Sequence, residues 1–447
     1  MNIRDLRKLG SVILLSALFF LGACSKTEFL PDPEGQQVPF QSDATKTVDE
    51  LLAASTAKLY YTAWQKSNIK NILKGKGSKV VHTVFAPGDA AMEAAGLSAS
   101  VINQMPIEEL DSLMMFYTTI GLVTKDELKL RNDNFMVKSL LEQPGLYVKY
   151  YENADEGVNI YDHYYYRHYI GIKGDDLLMN GKSVGKVNYM PATDGGVYIL
   201  EKTVGRPVKT MFEALKADGR FTMFIESQRL ADEMYLEKIA SDLELVFGYR
   251  PEIEEIKMSY AYTRSYYQKD WGINPPPYPG FVGPNITVST LFAPTDDAFH
   301  KAGFQTVADI LKLNERSAGS VRFDDNTYTA VGGYPMDTVF NFHRDWGRLF
   351  APKDPSYGIA GNNTTVFYSN VLNPALNNYL VNAGGNAQIQ YAYKMPLEFS
   401  LNNNSVQLKV KGSEYPAATV IDEDINTLNG PIHVVDRLLF PKGFKLN

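Results

Sequence analysis

The chain has 447 residues, with 44 Lys and Arg against 51 Asp and Glu, a formal net charge of −7 and a single Cys. That length suggests two to three domains, and an acidic chain with no Lys/Arg block argues against nucleic acid as a partner. The 28 Tyr, beside 23 Phe and 3 Trp, suit β-sheets and wet binding surfaces alike.

Arg4, Arg7 and Lys8 precede an apolar run over residues 11–21, too short for a stable membrane span and ordered as in a secretory signal peptide. The closing Leu21-Gly22-Ala23-Cys24 resembles the signal of a bacterial lipoprotein, and the Tyr- and Asn-rich composition looks like that of the Bacteroidota. The resemblance implies removal of residues 1–23 and acylation of Cys24 with palmitate-like chains. It also implies an outer-membrane lipid anchor, with display at the cell surface. Each buried CH₂ contributes roughly 0.8 kcal/mol, so several chains anchor stably where one is marginal. The competing reading is a plain secretion signal that happens to end near a Cys. Ser25-Lys26-Thr27-Glu28 offers only one acid as an export cue, and no later stretch reaches 18 uninterrupted apolar residues. Residues 24–46, with Pro31, Pro33 and Gly35 and no periodicity, read as a flexible tether able to reach roughly 70–80 Å.

After the tether the sequence follows one plan twice. Thr47-Val48-Asp49-Glu50 fits a capping box opening a helical stripe at 48, 51, 52, 55, 59 and 63, and Thr210-Met211-Phe212-Glu213 opens the second half in the same way. Each half then carries a buried-strand pattern stopped by proline and followed by a polar cap. In the first it is Thr83-Val84-Phe85-Ala86-Pro87 with Asp89; in the second, Thr290-Leu291-Phe292-Ala293-Pro294 with Asp296. The spacing predicts domains over 47–206 and 207–447, the second carrying an insertion at about 230–285. The insertion opens with a helical pattern at Leu236, Ile239, Leu243 and Val246, ended by Gly248. Beyond it, Trp271, the three prolines 275–277, Tyr278 and Phe281 read as an extended aromatic loop.

These residues resemble the fasciclin-like domain family. Its first motif is matched by 290–299, and its second by Asn429-Gly430-Pro431-Ile432-His433-Val434-Val435-Asp436. The family's aromatic-His pair before a Gly is matched by Phe342-His343 and Gly347. In the first half, Tyr117 stands for His343, Tyr198 for His433 and Glu201 for Asp436. The resemblance implies an α+β fold of two tandem domains, each a small β-wedge with packed helices. It also implies a non-catalytic adhesion module contacting extracellular protein or polysaccharide, with the aromatic-His segment as a partner contact. The alternative is a glycan-capture lipoprotein beside an outer-membrane nutrient transporter, with Trp271, Tyr278 and Phe281 as stacking faces for sugars.

The remaining chemistry signals are weak. His163 and His168 fall on opposite faces of a Tyr-rich strand and cannot share a metal. Gly181-Lys182-Ser183-Val184-Gly185 matches a nucleophile-elbow string, but Asn180-Gly181 reads as a hairpin turn between strands. His433 and Asp436 sit three apart on a strand and make no acid–base pair. His343 and His433 read first as buried or half-buried groups fixing neighbouring backbone, with partner contact as the functional alternative. No cofactor or metal motif is present, so the expected sites are the lipidation at Cys24 and ligand contacts at Trp271, Tyr278, Phe281, Phe342 and His343. Thr83, Phe85, Pro87, Thr290, Phe292, Pro294, Asp296, His433 and Asp436 are read as structural motif residues. An enzyme with two scattered carboxylates is the third reading.

Overall fold

The computed structural model describes residues 44–77, 79–153, 158–258, 273–274, 283–286, 288–344, 366–385 and 390–446. The signal segment, Cys24, the tether before Ala44, and the loop aromatics Trp271, Tyr278 and Phe281 lie outside the described residues. From Ala44 onward the described chain forms one compact α+β unit.

The first half contains α1 (Val48–Ala54), α2 (Lys58–Lys66), α3 (Ile69–Gly75), β1 (His82–Pro87), α4 (Asp89–Ala94), α5 (Ala99–Gln104), α6 (Ile107–Phe116), β2 (Thr118–Ile120) and α7 (Lys125–Leu130). Then come β3 (Phe135–Asn153), β4 (Val158–Lys173), β5 (Asp176–Met179), β6 (Lys182–Lys186), β7 (Tyr189–Ala192) and β8 (Gly195–Leu200). The second half contains α8 (Met211–Asp218), α9 (Thr222–Phe247), α10 (Ile253–Met258), β9 (Ile273–Asn274), β10 (Asn285–Ile286), β11 (Leu291–Pro294), α11 (Asp296–Lys301), α12 (Val307–Glu315), β12 (Arg322–Asp324), β13 (Thr329–Val331) and α13 (Pro335–His343). It closes with β14 (Leu380–Gly385), β15 (Gln390–Lys394), β16 (Leu397–Asn402), β17 (Ser405–Val410), β18 (Ala418–Thr427) and β19 (Gly430–Val435).

Both capping boxes form, with Thr47 and Thr210 each receiving the N–H of the glutamate three residues on. In each half the strand after these helices lies parallel to the half's last strand. β1 pairs with β8 so that Phe85 stands opposite Tyr198, and β11 pairs with β19 so that Phe292 stands opposite His433. All four strands are buried along their whole length, and a proline stops the ladder in β1 and in β11. The Asn180-Gly181 turn joins β5 to β6 with both residues at positive φ (50° and 79°), the two-residue hairpin geometry, which leaves Ser183 on a strand.

The halves share a core. Ile286, Val288, Val366, Tyr368 and Leu428 of the second half pack into the hydrophobic cluster of the first, and β10 pairs in parallel with Tyr147 and Val148 of β3. The Tyr164 hydroxyl donates to Leu428 O at 2.6 Å, and Asn134 and Asn370 exchange amide hydrogen bonds of 3.1 and 2.7 Å.

The insertion differs from the sequence expectation in where its helix starts. Its helix, α9, begins at Thr222, because Phe221, Phe224 and Met223 are needed in the main core of the second half while Ala231–Leu243 form a separate cluster with Ile256, Val321, Phe323 and Tyr334. Val246, the last position of the helical pattern, lies in the helix but is exposed, since the helix runs past its packing partners before Gly248 ends it in the left-handed conformation.

One pair of glycines shows how tightly the parallel strands meet. A Cβ on Gly195 would lie 1.8 Å from His82 O, and one on Gly430 would lie 1.9 Å from Ser289 O, with Gly430 also at φ +121°. Neither site has room for a side chain, so Gly430→Ala should destabilise the chain by about 3 kcal/mol or more through overpacking and strain. Thermal unfolding followed by circular dichroism checks this. A melting temperature unchanged from wild type would show that β11 and β19 are not held at this separation.

Candidate functional site

The residues singled out by the repeated motifs converge, in each half, around the parallel strand pair. In the second half, His343 at the end of α13 is fully buried. Its Nδ1 lies 2.7 Å from Phe292 O and its Nε2 is 2.9 Å from the Leu439 N–H. A carbonyl only accepts and an amide N–H only donates, so the ring is neutral, with Nδ1–H donating and Nε2 accepting. In the first half the Tyr117 hydroxyl does the same job with one oxygen, accepting from Val204 N–H at 2.9 Å and donating to Val204 O at 3.1 Å. Both side chains pin the stretch that follows the last strand.

The second bracket is also duplicated. His433 is buried and donates from Nε2 to Phe367 O at 2.9 Å, while its Nδ1 accepts from Asp424 N–H at 3.4 Å. Thr290 Oγ1 accepts from Phe367 N–H at 2.7 Å, so both backbone groups of Phe367 are held. In the first half the Tyr198 hydroxyl donates to Val123 O at 3.1 Å, and Thr83 Oγ1 accepts from Val123 N–H at 3.0 Å. The rings stack in the same way: Phe85 on Tyr198 at 5.3 Å and 16°, Phe292 on His433 at 5.7 Å and 28°.

The motif acids act as caps from a distance. Neither α2 nor α9 has a side-chain cap of its own. Asp89 Oδ1 accepts from Leu59 N–H and Asp296 Oδ1 from Met223 N–H, both at 2.7 Å, which satisfies a second-position amide of each helix. Asp194 and Asn429 likewise accept, at 2.8 Å, from the first amides of α1 and α8. Asp436 holds Thr419 N–H at 2.7 Å and the Lys301 ammonium at 3.2 Å, away from His433.

The expectation that His343 contacts a ligand is therefore corrected. Both nitrogens serve backbone groups and no part of the ring reaches solvent, because α13 carries it beneath β11. Phe342 is half-buried against the cluster of Phe292, Phe367 and Leu397. Of the strand histidines, His163 is exposed beside Glu142, whereas His168 is buried and donates to Phe116 O at 2.7 Å. Among the described residues no group of three or more His, Cys, Asp or Glu is placed to hold a metal.

Sequence reasoning missed a cleft of about 210 Å³ at the far end of α9, lined by Leu243, Phe247, Tyr249, Pro251, Glu255 and Ile256. Its signal was present in the run Leu245-Val246-Phe247 before Gly248, which exceeds what a helical stripe buries.

No protein-family model matches the chain, and no curated protein does. Among solved structures, one described as "Novel Fold Revealed by the Structure of a FAS1 Domain Pair from the Insect Cell Adhesion Molecule Fasciclin I" is similar at 12% identity and a TM-score of 0.26. The alignment covers 87% of this chain and 98% of that one. Within the chain itself the two halves correspond strand for strand at the β1–β8 and β11–β19 pairs.

Burial pushes the imidazoles of His168 and His343 down to about 4, and it also lowers His433, against the opposing pull of the Asp424 carboxylate 4.0 Å away. A folded pKa below the unfolded value means that the unfolded chain binds these protons first. Stability should be complete above about pH 6.5 and fall as the pH drops toward 4, by roughly 3 kcal/mol for each of His168 and His343. Urea denaturation between pH 8 and 4 measures the slope, and His343→Gln should lower stability at pH 7.5 yet make the slope shallower. A slope that His343→Gln leaves unchanged would mean that His343 is not neutral and buried. Tyr117→Phe, which frees Val204 N–H, should cost about 1–2 kcal/mol by the same measurement.

Proposed function

We propose that this chain is a non-catalytic binding module, a tandem pair of fasciclin-like domains held at the outer membrane through an acylated Cys24, which engages an extracellular protein or polysaccharide. The observation that carries the reading is the duplicated bracket. The groups that acid–base chemistry would call upon, His343 and His433, are buried and bonded to backbone, and tyrosine fills the same posts in the first half. A post that His and Tyr fill interchangeably is one of hydrogen bonding, because the two side chains have very different proton affinities near neutral pH. The motif strings at 290–299 and 429–436 support the family reading, and Leu21-Gly22-Ala23-Cys24 supports the anchor.

Two measurements test the two parts of the proposal. Cells expressing the chain and fed radiolabelled palmitate should label it, and Cys24→Ala should abolish the label and release the protein from the membrane fraction; a label that persists would sink the anchor. The detergent-solubilised full chain, probed on a mixed array of polysaccharides and extracellular-matrix proteins, should bind at least one class. Silence across the array would remove the adhesion reading.

A further inference from the structure

The cleft at the end of α9 has features that packing alone does not account for. Among the described residues, the aromatic rings that stand largely in solvent are Phe247, Tyr249 and Tyr328, and all three are at this end of the molecule. Phe247 and Tyr249 line the cleft, and Tyr328 stacks on Phe247 at 6.2 Å and 23° from the tip of the β12–β13 hairpin. Tyr328 has φ +53°, whereas the other non-glycine residues at positive φ among the described residues are Asn180, Asn403, Asn404 and Asp424, types that tolerate it. A bulky ring held in strained backbone and 60% exposed is presented outward at a cost to stability.

The chemistry of the cleft selects among occupants. Leu243, Phe247, Pro251 and Ile256 make its wall apolar, and its polar groups, the Tyr249 hydroxyl and the Glu255 carboxylate, already bond to each other at 2.9 Å. A sugar would find few free hydrogen-bonding partners there, whereas a large apolar side chain would fill it. The rim is acidic. Arg250 is held by Glu237 and Glu244, which leaves Glu255 in the wall and Glu252 beside Tyr249 without a cation among the described residues. Acidic groups around exposed aromatic faces attract Lys and Arg through both charge and the ring quadrupole.

We propose that this cleft is a docking site for a protein segment that inserts one large apolar side chain and sets Lys or Arg beside it, against Phe247, Tyr249, Tyr328 and Glu255. The inference rests on the binding-module reading and names its site and partner chemistry.

The test uses the full chain in detergent and three fluorescent decapeptides on a Gly-Ser frame, with central Lys-Phe-Leu-Lys, Glu-Phe-Leu-Glu or Lys-Ser-Ser-Lys. Fluorescence anisotropy should show the first binding at least roughly tenfold more tightly than either other at low salt. The gap to the acidic peptide should narrow in 0.3 M salt. Tyr249→Ser and Tyr328→Gly should each weaken the first peptide roughly tenfold. Tyr328→Gly should also raise the melting temperature, because it relieves the backbone, and a merely structural residue would not lose binding while gaining stability. The proposal is overturned by equal binding of the acidic peptide, by wild-type affinity in both variants, or by laminarin binding that the same variants abolish. Binding that appears only after deletion of residues 259–272 overturns it too, since the cleft would then belong to the chain itself. An array ligand that Tyr249→Ser leaves untouched defeats this inference alone, whereas silence of the array and of all three peptides defeats the parent reading as well.

Discussion

Each half of this protein depends on a parallel contact between two strands that lie far apart in sequence. β1 must find β8 across more than a hundred residues, and β11 must find β19 across a longer stretch still. Parallel pairing offers no tight turn to set the register, and closing so long a loop carries a large entropic penalty before any contact forms. The register has to be enforced by side chains that fit only one alignment. The stacked pairs Phe85–Tyr198 and Phe292–His433 do this on one face. The glycines Gly195 and Gly430, against which a neighbouring carbonyl packs, do it along the backbone. Pro87 and Pro294 then end the ladder at a defined residue.

Once the strands are registered, the rest of each half is organised by groups that reach out from them. Thr83 and Thr290 hold the backbone N–H groups of Val123 and Phe367, and Tyr198 and His433 hold the carbonyls of the same two residues. Asp89 and Asp296 cap helices that lack caps of their own, and Asp194 and Asn429 do so for the first helix of each half. Where such a contact is fully buried, as at Val123, Phe367 and Met211, it satisfies a donor or acceptor that would otherwise cost about 1–3 kcal/mol. The recurring polar residues of the motifs are therefore a wiring scheme for backbone groups. This explains why they are concentrated beside two strands instead of lining a cleft.

Much of this scheme was legible in the sequence, because local chemistry leaves local signatures. Thr47-Val48-Asp49-Glu50 announces a capping box, Asn180-Gly181 a two-residue hairpin, and Phe-Ala-Pro the end of a buried strand. The sequence was silent on partners at long range. Nothing in Asn285-Ile286 reveals that it lies along Tyr147 and Val148, and nothing in Leu428 reveals that its carbonyl takes the Tyr164 hydroxyl. The same gap left two posts open for His343, ligand contact and backbone bracket. An aromatic-His pair reads equally well as a surface contact or a buried bracket, and the difference lies in whether α13 tucks under β11, which no local pattern encodes. A helical period likewise shows which face is apolar but not where the packing partner ends, so Val246 lies in α9 as its pattern implies and yet stands exposed.

The two halves also show what the bracket requires and what it leaves free. His343 ties Phe292 O within β11 to Leu439 N–H beyond the end of β19, using nitrogens on opposite sides of a rigid ring. Tyr117 offers one oxygen at the end of a longer side chain, and it satisfies both backbone groups of the single residue Val204. The post thus needs one donor and one acceptor in a buried place, and the spacing of the backbone groups decides which residue type can supply them. The choice carries a consequence for stability. Burial drives the tyrosine hydroxyl up, to about 12, so Tyr117 stays neutral from acid to mildly alkaline conditions, whereas burial drives His343 down to about 4 and makes its post sensitive to acid. In the first half this one post is accordingly held by a group that does not titrate near neutrality, while the acid sensitivity of that half comes from the buried His168. The second half, which also carries the strained Tyr328 and the open cleft, is held at the same post by a group whose unfolded form gains a proton just below neutrality. Acid stress therefore reaches this bracket of the second half before its counterpart in the first, even though the two brackets occupy equivalent places.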